Sequence, residues 1–263
     1  MTSDGMKMER TLNRKYPLAA MMIVALCFGL LAVGCASLPG VGKRDAATPS
    51  SSASSPSLNE SGRADEAQPV AASPPKRANF RDEDKSPEAR RVADWVVNTG
   101  DNRGLPFAIV DKTDAKVFVF STDGEILGAA PVLLGIARGD DSAAGIGEVK
   151  LSEIPPKYRT TPAGRFVASL GYNYQGKDIL WVDYDNAISL HRVVTHNPKE
   201  RRLERLTSPT PQDNRISFGC INVPVQFFNE IVSPTFTGTY GVVYVLPETR
   251  PPNEVFTSYY DVE

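Results

Sequence analysis

The chain has 263 residues, 41% of them apolar, 23% charged and 8% aromatic, so it can build one large packed domain or two small ones. A formal net charge of -2 and the lack of any long basic run exclude nucleic acid as an expected partner. Only three cysteines (Cys27, Cys35, Cys220) and two histidines (His191, His196) are present, so any chemistry of these residues rests on few side chains.

Lys7, Arg10, Arg14 and Lys15 precede an uncharged run from Leu18 to Val33. The run is short for a membrane-spanning helix and suits the apolar region of a signal peptide, which makes residues 1–34 an export leader. It ends in Leu31-Ala32-Val33-Gly34-Cys35, which resembles the lipobox of bacterial lipoproteins, although Ala32 stands where leucine is usual. The resemblance implies lipidation at Cys35 and a mature chain that begins there. Ordinary signal cleavage nearby and a retained anchor helix remain as alternatives, and each of them exports the domain. The expected location is the periplasmic side of a bacterial membrane, with a lipid anchor and the outer membrane as the expected one. Cys27 leaves with the leader and Cys35 carries lipid, so Cys220 is the thiol left in the folded domain. A lone thiol in an oxidising compartment forms no internal disulfide and is a hazard unless it has chemistry to do.

Residues 36–85 are rich in Ser, Pro and Ala, with one aromatic, Phe80, near the end. That composition buries too little apolar surface to offset ordering, so a disordered tether is expected, with a root-mean-square span of roughly 40 Å. Ser86-Pro87-Glu88 then offers an N-cap with proline at the first helical position. Ala89, Val92, Ala93, Val96 and Val97 keep helical spacing up to Gly100, so a short helix is expected within 86–104.

The period then changes from 3.6 to 2. Phe107–Asp111 and Lys116–Phe120 flank a turn at Thr113-Asp114, and Thr122-Asp123-Gly124 leads into Ile126–Leu134, a second hairpin signal. Apolar runs at Gly164–Leu170, Ile179–Val182, Ala187–Val194 and Gly241–Leu246 complete a mainly β pattern. The expected fold class is a mixed β-sandwich with a few short helices, one of them over Pro224–Val232.

The most informative stretch is Arg215-Ile-Ser-Phe-Gly-Cys-Ile-Asn-Val-Pro224. Gly219 allows close approach to the Cys220 sulfur, and a helix starting at Pro224 would turn its positive end toward the thiol and favour thiolate. Taken alone, the pattern fits a nucleophile and a buried core cysteine equally well. His191 ends the alternating strand Ala187-Ile-Ser-Leu-His191, which gives its side chain a defined direction. An imidazole within reach of Cys220 would take the thiol proton and later return it to a leaving amine. Either histidine also reads as an ordinary surface or core residue, His196 more so.

Four motifs in order carry a family resemblance. Ser217-Phe-Gly-Cys-Ile-Asn222 resembles the S-x-G-C-[VI]-[RN] signature of the L,D-transpeptidase (YkuD-like) domain. Thr161-Pro-Ala-Gly-Arg-Phe166 is similar to its TPxGxF segment, Ile188–Arg192 to its I-x-x-H-G strand, and Val110–Glu125 to its opening hairpin. The similarity spans residues 105–247 and leaves 248–263 as a C-terminal tail. It implies an acyl-transfer enzyme on peptidoglycan stem peptides that needs no metal and no organic cofactor, with Cys220 as nucleophile and His191 as general base. Ser217 and Gly219 would shape the site, with the Gly219 and Cys220 N–H groups as oxyanion donors. Asn222, Phe218 and Arg192 would touch substrate. Phe218 and Arg192 also depart from the family, which often has histidine and glycine there. A hydrolase on the same fold and a non-catalytic wall-binding lipoprotein remain as alternatives. The charged stretch Thr195–Asn214 reads either as a lid or acceptor loop or as a solvated excursion.

Overall fold

The computed structural model of the protein describes residues 74–263; the expected leader 1–34, the lipidation site Cys35 and the tether up to residue 73 lie outside the described residues. Within them the chain joins the domain before Ser86. Arg77 Nη1 and the Ala78 N–H both donate to the Asp94 carboxylate, at 3.0 and 2.9 Å. Asn79 bridges to Glu125, and Phe80 is buried edge-on against Phe118 and Phe120, with ring centroids 5.2 and 5.0 Å away. The expected tether boundary at residue 85 is corrected accordingly. One buried phenylalanine contributes roughly 1.5–3 kcal/mol, and with these hydrogen bonds it offsets the ordering of a short strap that the surrounding composition could not support.

The helix α1 spans Pro87–Thr99. Ser86 Oγ accepts the Ala89 N–H, and Gly100, at φ +70°, ends the helix in a left-handed turn that most side chains resist. Ala89, Val92, Ala93, Trp95 and Val96 face the core as their spacing requires. The expected C-terminal tail packs on the same helix: Phe256 stacks on Trp95 at 6.0 Å, and Trp95 Nε1 donates to Ser258 O at 3.2 Å.

The strands are β1 (Phe107–Asp111), β2 (Lys116–Phe120), β3 (Ile126–Pro131), β4 (Leu134–Gly135), β5 (Gly164–Tyr172), β6 (Asp178–Asp183), β7 (Ile188–Arg192), β8 (Arg215–Ser217), β9 (Ile221–Val223) and β10 (Tyr240–Val245). Eight form one sheet in the order β3-β2-β1-β10-β5-β6-β7-β9, and β4 pairs with β8 in a second, two-stranded one. The pairs β1–β10 and β7–β9 are parallel and the other pairs of the large sheet antiparallel, so the sheet is mixed. One sheet serves as a sandwich because it curls. Ala130 on β3 and Ile221 and Val223 on β9, from opposite edges, share one core with Val110, Val243 and Leu180. Leu133, just past β3, also bridges to Asn222 on β9. Strand alternation sends the other face of β1, β2 and β10 into a second core under α1, with Phe107, Ile109, Phe118, Phe120 and Tyr244.

Between β7 and β8 lies the short helix α2 (Arg202–Leu206). After β9 the chain turns helical as α3 (Val225–Phe227), a π-turn at Phe228–Val232, and α4 (Ser233–Phe236). Their Phe227, Phe228, Val232 and Phe236 close the first core.

Candidate active site

Cys220 stands in the turn between β8 and β9. Ser217 Oγ closes that turn by donating to Cys220 O at 2.7 Å while accepting the Gly219 N–H at 3.1 Å. Gly219 has φ +130°, and a Cβ there would lie 2.7 Å from Thr160 O and 2.8 Å from Ile188 Cδ1, so the position admits only glycine. Thr161 Oγ1 donates to Gly219 O at 2.8 Å and accepts the Gly135 N–H at 2.9 Å, which pins the turn to its neighbouring strands. The Gly219 N–H, expected as an oxyanion donor, is thus committed to Ser217, and the Cys220 N–H is left as the candidate.

β7 runs parallel to β9, with His191 opposite Asn222. His191 Nδ1 lies 2.7 Å from the Arg192 carbonyl oxygen. A carbonyl only accepts, so Nδ1 carries the proton and the neutral ring keeps the Nε2 lone pair for the thiol. Ser189, two residues earlier and on the same strand face, places Oγ 3.6 Å from Cys220 Sγ. Burial by itself would push the Cys220 thiol up. The hydrogen bond and positive charge of His191, with the N–H and hydroxyl of Ser189, outweigh it and hold the thiol below its ordinary range. Burial likewise pulls His191 down, but its contact with Cys220 and the Arg192 carbonyl raise it overall. Both directions favour a thiolate–imidazolium pair.

The expected helix contribution is corrected. β9 stands between the sulfur and the helical stretch that begins at Val225, so the groups acting on the thiol are His191, Ser189 and the Ala187 carbonyl, which accepts from Sγ at 3.6 Å.

Cys220 lines a narrow cleft of about 30 Å³, walled by Ile146, Val149, Leu151, Ile154, Tyr158 and Phe218. Three single 3₁₀ turns, at Ile146–Glu148, Leu151–Glu153 and Pro156–Tyr158, form this wall. Its root is fixed by a buried charge cluster. Lys112 Nζ donates to Gly139 O (2.6 Å), Asp140 Oδ1 (2.7 Å) and Thr161 O (3.0 Å), and Arg215 is bidentate to Glu248 at 2.6 and 3.1 Å. Burial alone would raise the Asp140 pKa. Hydrogen bonds from Lys112, from the Thr249 hydroxyl and from the Glu248 and Thr249 N–H groups reverse this and hold it at about 2.

Of the expected substrate contacts, Phe218 lines the cleft, with the Arg159 guanidinium 3.9 Å over its ring. Arg192 does not reach the cleft. It binds Asp178 Oδ1 at 2.8 Å and Asn229 Oδ1 at 2.7 Å and lies over the Phe228 ring, because the residue after His191 points to the opposite sheet face. Asn222 is buried as well: Nδ2 donates to Cys220 O at 3.2 Å and Oδ1 accepts from Arg202 at 2.8 Å, so it ties the site together internally. His196 is exposed beyond the end of β7, apart from the pair.

Sequence reasoning missed Ser189, Thr161, Arg202 and the wall. Ser189 was findable, since it shares a strand face with His191. Thr161 opens the segment Thr161–Phe166, whose pattern carries the family resemblance but no sign of this bond. Arg202 and the wall left no local pattern.

No family model and no curated protein matches the chain. Among solved structures it is similar to the catalytic domain of the Enterococcus faecium L,D-transpeptidase, at 16% identity over 54% of this chain and 96% of that one, with a TM-score of 0.31. It is also similar to the helical cell shape determining protein Pgp2 of Campylobacter jejuni (15%, 56% of this chain and 49% of that one, TM-score 0.38). An L,D-transpeptidase from Mycobacterium smegmatis is similar at 13%, over 54% of this chain and 58% of that one, with a TM-score of 0.30. The chain spans only about half the length of the latter two.

Proposed function

We propose that the domain is a cysteine-dependent acyltransferase of the L,D-transpeptidase type acting on peptidoglycan stem peptides. The observation that carries the reading is the Cys220–His191 pair, with the imidazole tautomer set by the Arg192 carbonyl. In this reading Nε2 of His191 takes the thiol proton as Sγ attacks the carbonyl of the third stem residue. The Cys220 N–H donates to the oxyanion, the imidazolium returns its proton to the departing terminal D-amino acid, and a thioester remains. An amine, making a crosslink or attaching a protein, or water then takes the acyl group and restores the thiol. Export through residues 1–34 and a lipid on Cys35 would hold this chemistry beside the wall, on the periplasmic face of the outer membrane.

The test incubates the purified protein with a defined tetrapeptide muropeptide and an acceptor amine, with products read by mass spectrometry. The expected result is loss of the terminal D-amino acid and acyl transfer by the wild type, and neither by Cys220→Ala. The alkylation rate of Cys220 against pH should inflect below the value of about 8.5 for a free cysteine. His191→Ala should move that inflection up and lower turnover by about 10²–10⁴-fold, while His196→Ala does neither. A muropeptide-active Cys220→Ala protein would end the nucleophile assignment.

A further inference from the structure

The peptide unit between Gly219 and Cys220 carries the Gly219 carbonyl at one end and the Cys220 N–H, the donor left for an oxyanion, at the other. Thr161 Oγ1 donates to that carbonyl at 2.8 Å and accepts the Gly135 N–H at 2.9 Å. A carbonyl only accepts and an N–H only donates, so the hydroxyl proton has one place, on the line to Gly219 O. The dipoles therefore run head to tail, from Gly135 through Thr161 and the peptide to the Cys220 N–H. A hydrogen bond on a peptide's carbonyl draws charge from its nitrogen, and bonds in such a chain strengthen one another by about 10–30% each.

Closing the turn does not need this bond. Ser217 Oγ already joins the Cys220 carbonyl to the Gly219 N–H, and Asn222 Nδ2 donates to the same carbonyl. Those bonds fix the peptides on either side, Phe218–Gly219 and Cys220–Ile221. The peptide between them is held at its carbonyl by Thr161. Thr161 is fully buried, where a valine of the same shape would fill the space, and a buried hydroxyl costs free energy unless it is bonded. Its own carbonyl accepts from Lys112 Nζ at 3.0 Å, and Lys112 is held in turn by Asp140. The hydroxyl is thus mounted on the buried charge cluster and aimed at one peptide.

We infer that Thr161 is a positioning residue for the oxyanion site: its hydroxyl orients and polarises the Gly219–Cys220 peptide, whose N–H then meets the oxygen made negative by thiolate attack on a carbonyl. The inference rests on the acyl-transfer reading, and two reagents separate the two claims. p-Nitrophenyl acetate acylates the sulfur: Sγ bonds to the acetyl carbon, a tetrahedral oxyanion forms, and p-nitrophenolate leaves with the electron pair of its bond. Iodoacetamide alkylates the same sulfur by displacement of iodide, with no oxyanion. Both rates are measured on the full chain at one pH, with the Cys220 peptide quantified by mass spectrometry.

Thr161→Val should lower acetylation relative to alkylation about tenfold, less than the loss of about 10²–10³-fold expected for removing an oxyanion donor itself. The alkylation rate and its inflection against pH should hold, because the groups that act on the thiol are His191 and Ser189. Thr161→Ser keeps the hydroxyl and should restore the ratio. An unchanged ratio in Thr161→Val, an equal fall in both rates, or a ratio that Thr161→Ser does not restore overturns the positioning role and leaves the acyl-transfer reading standing. A wild-type Cys220 that alkylates faster than free cysteine yet acetylates no faster overturns both. One arm needs no variant to fold. When acetaldehyde adds to Sγ, the Cys220 amide proton should move downfield in the NMR spectrum as it bonds the new oxygen; an unmoved proton overturns the inference alone.

Discussion

Two irregular stretches flank the site, and they are anchored to the domain in different ways. Residues 195–214 are dense in charge, which fits a lid or acceptor loop and a solvated excursion alike, and they are held down at three points. Leu206 is 5% exposed in a small core with Leu133 and Val193, Asn214 Nδ2 donates to Val132 O at 2.9 Å, and Arg202 is tied to Asn222. The stretch after Asp140 has no notable composition, yet it walls the cleft over Cys220 with side chains that, Ile154 apart, remain partly exposed. What distinguishes them is where the anchors lie. The first is tied through Arg202, Leu206 and Asn214 with exposed residues between them, whereas the wall is tied at its ends, by Lys112 and Asp140 at one and Thr161 at the other, and midway by the buried Gly147 and Ile154. Charge density marks solvent contact and says little about which loop covers a site.

That contrast can be broken by substitution. Leu206→Ala should cost about 2–5 kcal/mol, read as a lower midpoint in chemical denaturation, because it opens a cavity beneath an anchored stretch. An effect near zero would mean that residues 195–214 are the mobile wall after all. Acid should act next, and at the root of the other stretch. Asp140 has its pKa held at about 2 against an ordinary 3.8, so its contribution is fully present above about pH 4 and is lost as pH falls toward 2. Asp140→Asn should therefore be less stable at pH 7 and lose less on acidification than the wild type, which denaturation midpoints at pH 7, 4 and 2.5 would show. The smallest effect belongs to Leu151→Ala on the wall. With 36% of that residue exposed, stability should change by under about 1 kcal/mol, while KM for the peptide rises and the Cys220 alkylation rate holds. A stability loss equal to that of Leu206→Ala would erase the distinction between the two stretches.

The hairpins β1–β2 and β2–β3, the strands β5, β6, β7 and β10, and α1 were all legible, because each announces itself through a local period or a cap within a few residues. Cys220 and His191 were legible through rarity and motif. The division of residues 215–223 into β8 and β9 and the pairing of β4 were not, since strands of two or three residues carry no period and are set by partners far away in sequence. Phe80 illustrates the same limit at the edge of the domain: a single aromatic in a polar segment gives no signal until Phe118 and Phe120 offer it a slot.

By itself, then, the sequence determined the mainly β character, the helix at its start and the two residues whose pairing makes the chemistry conceivable. Tertiary structure alone decided that Asn222 and Arg192 serve as internal ties, that Ser189 and His191 rather than a helix end act on the thiol, and that Arg202 reaches the site from a distant loop. The physical reason is range. Backbone period and capping are written in adjacent residues, whereas a hydrogen bond such as Arg202–Asn222, or the direction in which strand pairing aims a side chain, exists only once the sheet has curled its edges together.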